Sequence, residues 1–140
     1  MSLYLLDTDT VSLAQFGHPL VRQRIDNAPP ADVALSVITI QEQLVGWQSQ
    51  VLRARGAQQL AVAYDRLVVR LFPLWRRLAL TPFSESAIQR FEDLRKLRLN
   101  VGSMDLRIAA IALENGLIVV TRNQRDFSRV PGLVLEDWSG

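Results

Sequence analysis

Asp7, Glu42, Asp105 and Asp126 are the residues of this chain best suited to chemistry, and each stands at a junction between an apolar run and a polar one. Asp7 closes the run Leu3-Tyr4-Leu5-Leu6, and Glu42 opens a helix just after Val33-Ala34-Leu35-Ser36-Val37. Asp105 begins the apolar stretch from Leu106 to Leu113, and Asp126 follows Leu117-Ile118-Val119-Val120-Thr121. In an open α/β sheet the carboxyl ends of parallel strands and the adjoining helix starts converge on one crevice. Acids far apart in sequence can meet there and hold a divalent cation, Mg2+ or Mn2+, through oxygen ligands. Such ions activate water and neutralise charge on a phosphoryl group, which suits a phosphodiester and requires no histidine base.

The rest of the composition removes competing chemistries. With no cysteine there is no disulfide framework, thiolate nucleophile or cysteine zinc site. The single histidine, His18, lies in the turn sequence Gly17-His18-Pro19 and reads as a loop residue, which argues against Ser-His-Asp triads and histidine-rich metal sites. The formal charge is only +2, but 15 of the 16 basic residues are arginine. Arginine pairs bidentately with phosphate and stacks on bases, although a GC-rich coding sequence explains the same bias. A chain of 140 residues can bury a core without covalent staples, and residues 1–140 are expected to form a single domain. No apolar run approaches the ~20 residues needed to cross a bilayer. Met1-Ser2-Leu3-Tyr4 lacks the basic and long apolar regions of a signal peptide. A cytoplasmic protein without membrane attachment is therefore expected.

The elements that must position the acids follow from the apolar pattern. Residues 3–6 read as a buried strand, followed by helices over Thr10–Phe16 and Leu20–Asn27, the second stopped by Pro29-Pro30. Val33–Val37 reads as a second strand and Ile40–Gln50 as a helix. Residues 57–72 place Leu60, Tyr64, Leu67, Val68 and Leu71 on one amphipathic stripe, ended by Pro73, with a further turn over Leu74–Leu78. Ala79-Leu80-Thr81 is a short strand, and Ser84 or Ser86 caps a helix reaching Leu97. A helix over 105–115 is apolar nearly all round and closes at Gly116, before a strand over 117–121 and a last one near Leu133-Val134-Leu135. Strands alternating with helices predict an α/β fold, three layers with a mainly parallel central sheet.

Each acid also has a purely structural use. Asp7 or Asp9 can cap the first helix, and Thr39 and Glu42 have the spacing of a capping box. Ser103 can cap the helix that Asp105 enters, where a negative charge suits the dipole. Asp126 can be a turn residue of Asn123-Gln124-Arg125-Asp126. Capping and function are compatible, because a helix N-terminus also turns its amides toward phosphate.

Four stretches carry a family resemblance. Leu5-Leu6-Asp7-Thr8-Asp9-Thr10-Val11-Ser12 resembles the opening of PIN-domain ribonucleases, especially VapC-type toxins. Ser36 to Gly46, with Glu42 as its acid, is similar to their second motif, and Gly102 to Ala110, with Asp105, to their third. Val120 to Phe127, with the ending Val130-Pro131-Gly132-Leu133 and Glu136-Asp137-Trp138, is similar to the fourth motif and tail. The resemblance implies a three-layer α/β/α PIN-like domain and a Mg2+- or Mn2+-dependent endoribonuclease. It places Asp7, Glu42 and Asp105 at the metal, with Asp126 or Asn123 completing the corner. It also implies Thr8 and Thr121 as supporting hydroxyls, and Arg122 and Arg125 as phosphate contacts on a turn that solvent explains equally well. Members often carry Asn at the position of Asp9, which here enlarges the acidic site or only caps. The implied partners are RNA, a small antitoxin whose tail covers the acidic groove, and a second copy in a homodimer. The apolar excess near residues 40–72, including Trp47, Val62, Val69 and Phe72, can supply those surfaces. Trp47, Trp75 and Trp138 each sit in an apolar stretch and read as packing residues rather than base-stacking ones.

Two other readings compete. Asp7-Thr8-Asp9-Thr10-Val11 also resembles the nucleophile motif of haloacid-dehalogenase-type phosphatases, but the only lysine, Lys96, precedes Thr121 in the wrong order. The other is a PIN-like binding module without activity, against which the full set of acids argues.

Overall fold

The apolar runs become five short strands in the computed structural model, which describes residues 2–140. They are β1 (Tyr4–Leu6), β2 (Val33–Ser36), β3 (Ala79–Thr81), β4 (Ile118–Val120) and β5 (Leu135–Glu136), in spatial order β3-β2-β1-β4-β5 with every pairing parallel. Parallel strands need covered faces on both sides, and the alternation of side chains along each strand supplies both. Leu5, Ala34 and Val119 face one way, onto α6 (Glu85–Lys96) and α7 (Ser103–Asn115). Leu6, Val33, Leu35 and Val120 face the other, onto α1 (Thr8–Gln15) and α2 (Pro19–Asn27). This is the three-layer α/β/α arrangement expected from the sequence. Helices α3 (Val37–Arg53), α4 (Gly56–Arg66), α5 (Phe72–Arg77) and α8 (Gln124–Phe127) complete it. Among the described residues no helix is long and apolar enough to cross a membrane.

The site depends on the register. Leu6 pairs with Leu35 and with Val120, so the residues that follow them, Asp7, Ser36 and Thr121, emerge side by side at the carboxyl edge. The chain runs outward from β1 through β2 to β3, then returns to the opposite side of β1 as β4. The switch in strand order therefore lies between β1 and β4, where open α/β sheets leave a crevice for ligands. Helix α7 enters this edge and is buried along Leu106, Ile108, Ala109, Ala110, Ile111 and Ala112. Gly116 ends it at φ 64°, with the Leu117 amide donating to the Ala112 carbonyl at 2.8 Å.

Several local expectations are corrected. Helix α3 begins at Val37, not Ile40, because the Ser36 hydroxyl caps it and accepts the Thr39 amide at 3.3 Å. No capping box forms between Thr39 and Glu42, since Ser36 already holds the amide at the third helical position. Ser103 is not a cap; Gly102 stands at that position and makes no side-chain bond. Helix α1 starts at Thr8 because Asp7 caps it, and the last strand lies at Leu135–Glu136 rather than 133–135. Pro73 does not end its helix. A π turn over Leu67–Leu71, with the Phe72 amide donating to Leu67, widens the helix and carries it past the proline ring. The expected stripe exists as a helix face but is not a core face: Leu71 is buried, whereas Leu60, Tyr64 and Val68 are exposed. His18 caps α2, its Nδ1 accepting the Val21 amide at 3.3 Å. Trp138 is core, and Trp47 and Trp75 are half-buried packing residues with their Nε1 groups bonded to the Ala63 carbonyl and Gln43.

Candidate active site

Asp7 is only 3% exposed, so its carboxylate needs partners. It accepts the Thr10 amide at 2.8 Å as the cap of α1, and the Thr121 hydroxyl also bears on it. Burial nevertheless wins: it pushes the carboxyl above the usual range against the bonds from Thr121 and Thr10, with Asp9 adding repulsion. Thr121, fully buried at the end of β4, accepts the Asn123 amide at 2.8 Å and so fixes the turn beside Asp7. The structural role of Asp7 and its place at the crevice coexist.

Glu42 is held from α1. The Thr8 hydroxyl donates to its Oε1 at 2.6 Å and lies 3.0 Å from the Thr39 hydroxyl. Thr8 has one proton and commits it to the carboxylate, so Thr39 is the donor in the second contact. Thr39 was not anticipated as a functional residue. Its signal is its position one turn before Glu42 on the same face of α3.

Asp105 is the electrostatic centre. Burial, then Asp7, Glu42, Asp126 and Asp9 in that order, raise its carboxyl to about 6. A place in the first turn of α7 favours the charged form by about 0.3–1 kcal/mol. The rise, discounted for solvent screening at this half-buried position, corresponds to about 1–2 kcal/mol against the charged form, so burial and neighbouring charge outweigh the helix end. The acids from β1, α3, α7 and α8 thus share one field.

The fourth corner is already engaged. Asp126 accepts from the Asn123 side-chain amide at 3.0 Å and from Arg129 at 3.1 Å, while Asn123 caps α8. Asn123 thus orients Asp126. Asp9 and Arg122 form a two-bond ion pair at 2.8 and 3.0 Å at the exposed rim. Arg122 therefore faces a carboxylate, and Arg125 is an exposed residue of α8. Lys96 is exposed on α6 and is not among the groups acting on Asp7, which leaves the phosphatase reading without its lysine.

As the side chains stand, no three acids or histidines among the described residues converge tightly enough to hold one ion. Electrostatic coupling reaches further than ligation, which explains how Asp105 feels all of them. The donors offered are nonetheless hard carboxylate oxygens, and Asp7, Glu42 and Asp105 take part in no ion pair among the described residues. Mg2+ binds commonly through one or two carboxylates and retained waters, so this donor set fits it.

Behind Glu42 lies a polar network also missed from sequence. Gln43 and Gln15 exchange amide bonds at 2.7 and 2.9 Å, Gln43 donates to Ser12 at 3.1 Å, and Trp75 donates to Gln43 at 2.7 Å. Helices α1, α3 and α5 are locked together beneath the acids.

Residues 4–133 match the model of the PIN domain. The chain belongs to the PIN-domain family, in its VapC group. It is 30% identical over 142 residues to the tRNA(fMet)-specific endonuclease VapC of Salmonella typhimurium, covering 99% of each chain. It is 32% identical over 140 residues to the protein of the same name from Shigella flexneri, covering 99% of this chain and 100% of that one. Among solved structures, DNA-bound VapBC from Salmonella typhimurium superposes with a TM-score of 0.80 at 26% identity, covering 99% of each chain. VapBC2 from Rickettsia felis bound to a promoter DNA fragment gives 0.71 at 26% identity, again over 99% of each chain.

Proposed function

We propose that the chain is a Mg2+- or Mn2+-dependent endoribonuclease and the toxin of a toxin–antitoxin pair. The observation that carries the reading is the register of β1 with β2 and β4, which sets Asp7 at the carboxyl edge beside the helices that bear Glu42 and Asp105, none of the three in an ion pair among the described residues. Asp7, Glu42, Asp105 and Asp126 would hold the cation, which when bound neutralises phosphoryl charge and activates water. The chain's own contribution is support. The start of α1 and Thr121 fix Asp7, Thr8 and Thr39 fix Glu42, and Asn123 with Arg129 fixes Asp126. The names of the relatives, endonuclease and ribonuclease, support RNA as the substrate.

A small antitoxin and a second copy of this chain are the proposed protein partners. VapBC complexes among the structural neighbours support the first. Leu52 is 77% exposed and Val68 69%, with Val62, Val69 and Phe72 also exposed. Apolar surface of this kind marks a protein contact.

Purified protein freed of any partner should cut RNA with Mg2+ or Mn2+ and stop in excess EDTA. Full cutting in EDTA would overturn the metal dependence. Cutting untouched by Asp105→Asn would overturn the site.

A further inference from the structure

We infer that the groove running from Glu42 along α3 is an RNA subsite, in which Arg53 and Arg66 hold backbone phosphate beside the scissile bond; this rests on the ribonuclease reading above. The groove has a volume of about 340 Å3, with Thr8 and Glu42 at one end and Arg53 and Arg66 among its other lining residues. Gly46, Gln50 and Arg53 follow Glu42 by four, eight and eleven positions. At 100° per residue all fall within about 80° of Glu42 on one helix face, and Arg53 lies about 16 Å along the axis. A strand lying on this face reaches Arg53 with neighbouring nucleotides, not with the scissile phosphate.

The charge is arranged for an anion. Glu42 is the sole acid lining the groove, and Arg53 and Arg66 form no ion pair among the described residues. Arg53 commits its Nε to the Ser49 carbonyl at 3.3 Å, leaving its terminal nitrogens available. The Arg66 guanidinium lies 5.4 Å from the centre of the Phe16 ring, with Arg70 at 5.8 Å, so an exposed aromatic face orients it. Trp47 forms another wall, held rigid by its bond to the Ala63 carbonyl at 2.9 Å and an edge contact with Tyr64. Basic side chains tracking a backbone beside aromatic faces are how proteins grip single strands.

Gly46 lines the groove between its acidic and basic ends. A helix interior disfavours glycine, and no packing demands it, since an added Cβ would meet nothing within 4 Å. Its bare backbone keeps the groove floor low between the acidic and basic ends. The lining sets polar Thr8, Ser12, Gln43 and Gln50 beside apolar Phe16, Trp47 and Leu71, and its far end is cationic, a mixture that suits the sugar-phosphate and bases of a single strand.

The test measures binding of a single-stranded oligoribonucleotide by anisotropy in the Asp105→Asn background, across a salt series. Arg53→Gln with Arg66→Gln should weaken binding about tenfold. The slope of log affinity against log salt should become shallower by about 1.4, at roughly 0.7 per phosphate contact. Gly46→Leu should weaken binding while the melting temperature holds or rises. Lys96→Gln on α6 should change neither, and a dinucleotide too short to reach Arg53 should not distinguish the variants. Unchanged oligonucleotide affinity in both the double variant and Gly46→Leu would overturn the subsite and leave the ribonuclease reading standing. Variants that keep RNA but release a co-purified protein partner would give the groove to that partner, also overturning it. No RNA binding by the Asp105→Asn parent would sink the subsite and the reading beneath it together.

Discussion

Replacing Asp105 by Asn should stabilise the metal-free protein while abolishing cleavage. The carboxyl is raised from an ordinary value of 3.8 to about 6. That displacement corresponds to about 3 kcal/mol of penalty on the charged form. Asp105 is only half-buried, so solvent screening reduces the usable part to about 1–2 kcal/mol. Asparagine removes the charge and keeps the shape. For a domain of this size the gain corresponds to roughly 3–8 °C in melting temperature in EDTA near pH 8. The sign with pH follows from linkage. Between 3.8 and about 6 the folded state binds more protons than the unfolded one, so wild-type stability falls as pH rises through that window. The advantage of Asp105→Asn should therefore be complete above about pH 6 and vanish as pH approaches 4. Mn2+ should reverse the ranking, because a cation that binds only the folded state stabilises wild type by mass action and the variant less. Asp7→Asn should move the same way in EDTA, since burial raises that carboxyl too and Asn still caps α1. Thermal melts with EDTA and with Mn2+ at pH 4, 6 and 8 read all of this. If both variants melted at or below wild type in EDTA and responded equally to Mn2+, the shared acidic field would be wrong.

Thr8→Val removes the 2.6 Å bond to Glu42 while preserving the volume of the side chain. A hydrogen bond to a charged group is worth about 1.5–3 kcal/mol, so kcat/KM should fall roughly 10- to 100-fold with KM changing less, and Thr8→Ser should restore most of it. Gln43→Leu leaves the Trp75 and Gln15 donors without their acceptor. It should destabilise by about 2–4 kcal/mol, read in urea unfolding, and an unchanged midpoint would show that the network contributes nothing.

How much of this was legible in the sequence differs by residue. The strands were, because a parallel strand covered on both faces must be apolar on consecutive residues, as Val119 and Val120 are. Asp7 was legible as a junction residue for the same reason, since the apolar run stops where the sheet edge meets the crevice, and Asp105 and Asp126 lie in the first turns of their helices; Glu42 was not, because α3 begins at Val37 and Glu42 is its sixth residue rather than its opening one. The start of α3 was not. Val37-Ile38-Thr39 favours a strand by local propensity, yet the helix starts there, with the Ser36 hydroxyl accepting the Thr39 amide as its cap. Pro73 ends a helix by local rules, yet a π turn before it accommodates the ring. The stripe on residues 57–72 was readable as a face, but periodicity cannot say what covers a face, and here the chain itself does not. Pairings between distant polar groups were least accessible. Arg122 looks free in sequence, but the β1–β4 register carries it to Asp9, 113 positions away. Thr8 likewise reaches Glu42 across 34 positions only because β1 and β2 lie side by side. That same register gathers Asp7, Glu42 and Asp105 at one edge of the sheet, and none of them has an ion pair among the described residues. Within the acidic cluster the fold pairs Asp9 with Arg122 and Asp126 with Arg129 but gives Asp7, Glu42 and Asp105 no arginine, and it is this unbalanced charge, confined to the crevice edge, that the proposed cation would neutralise.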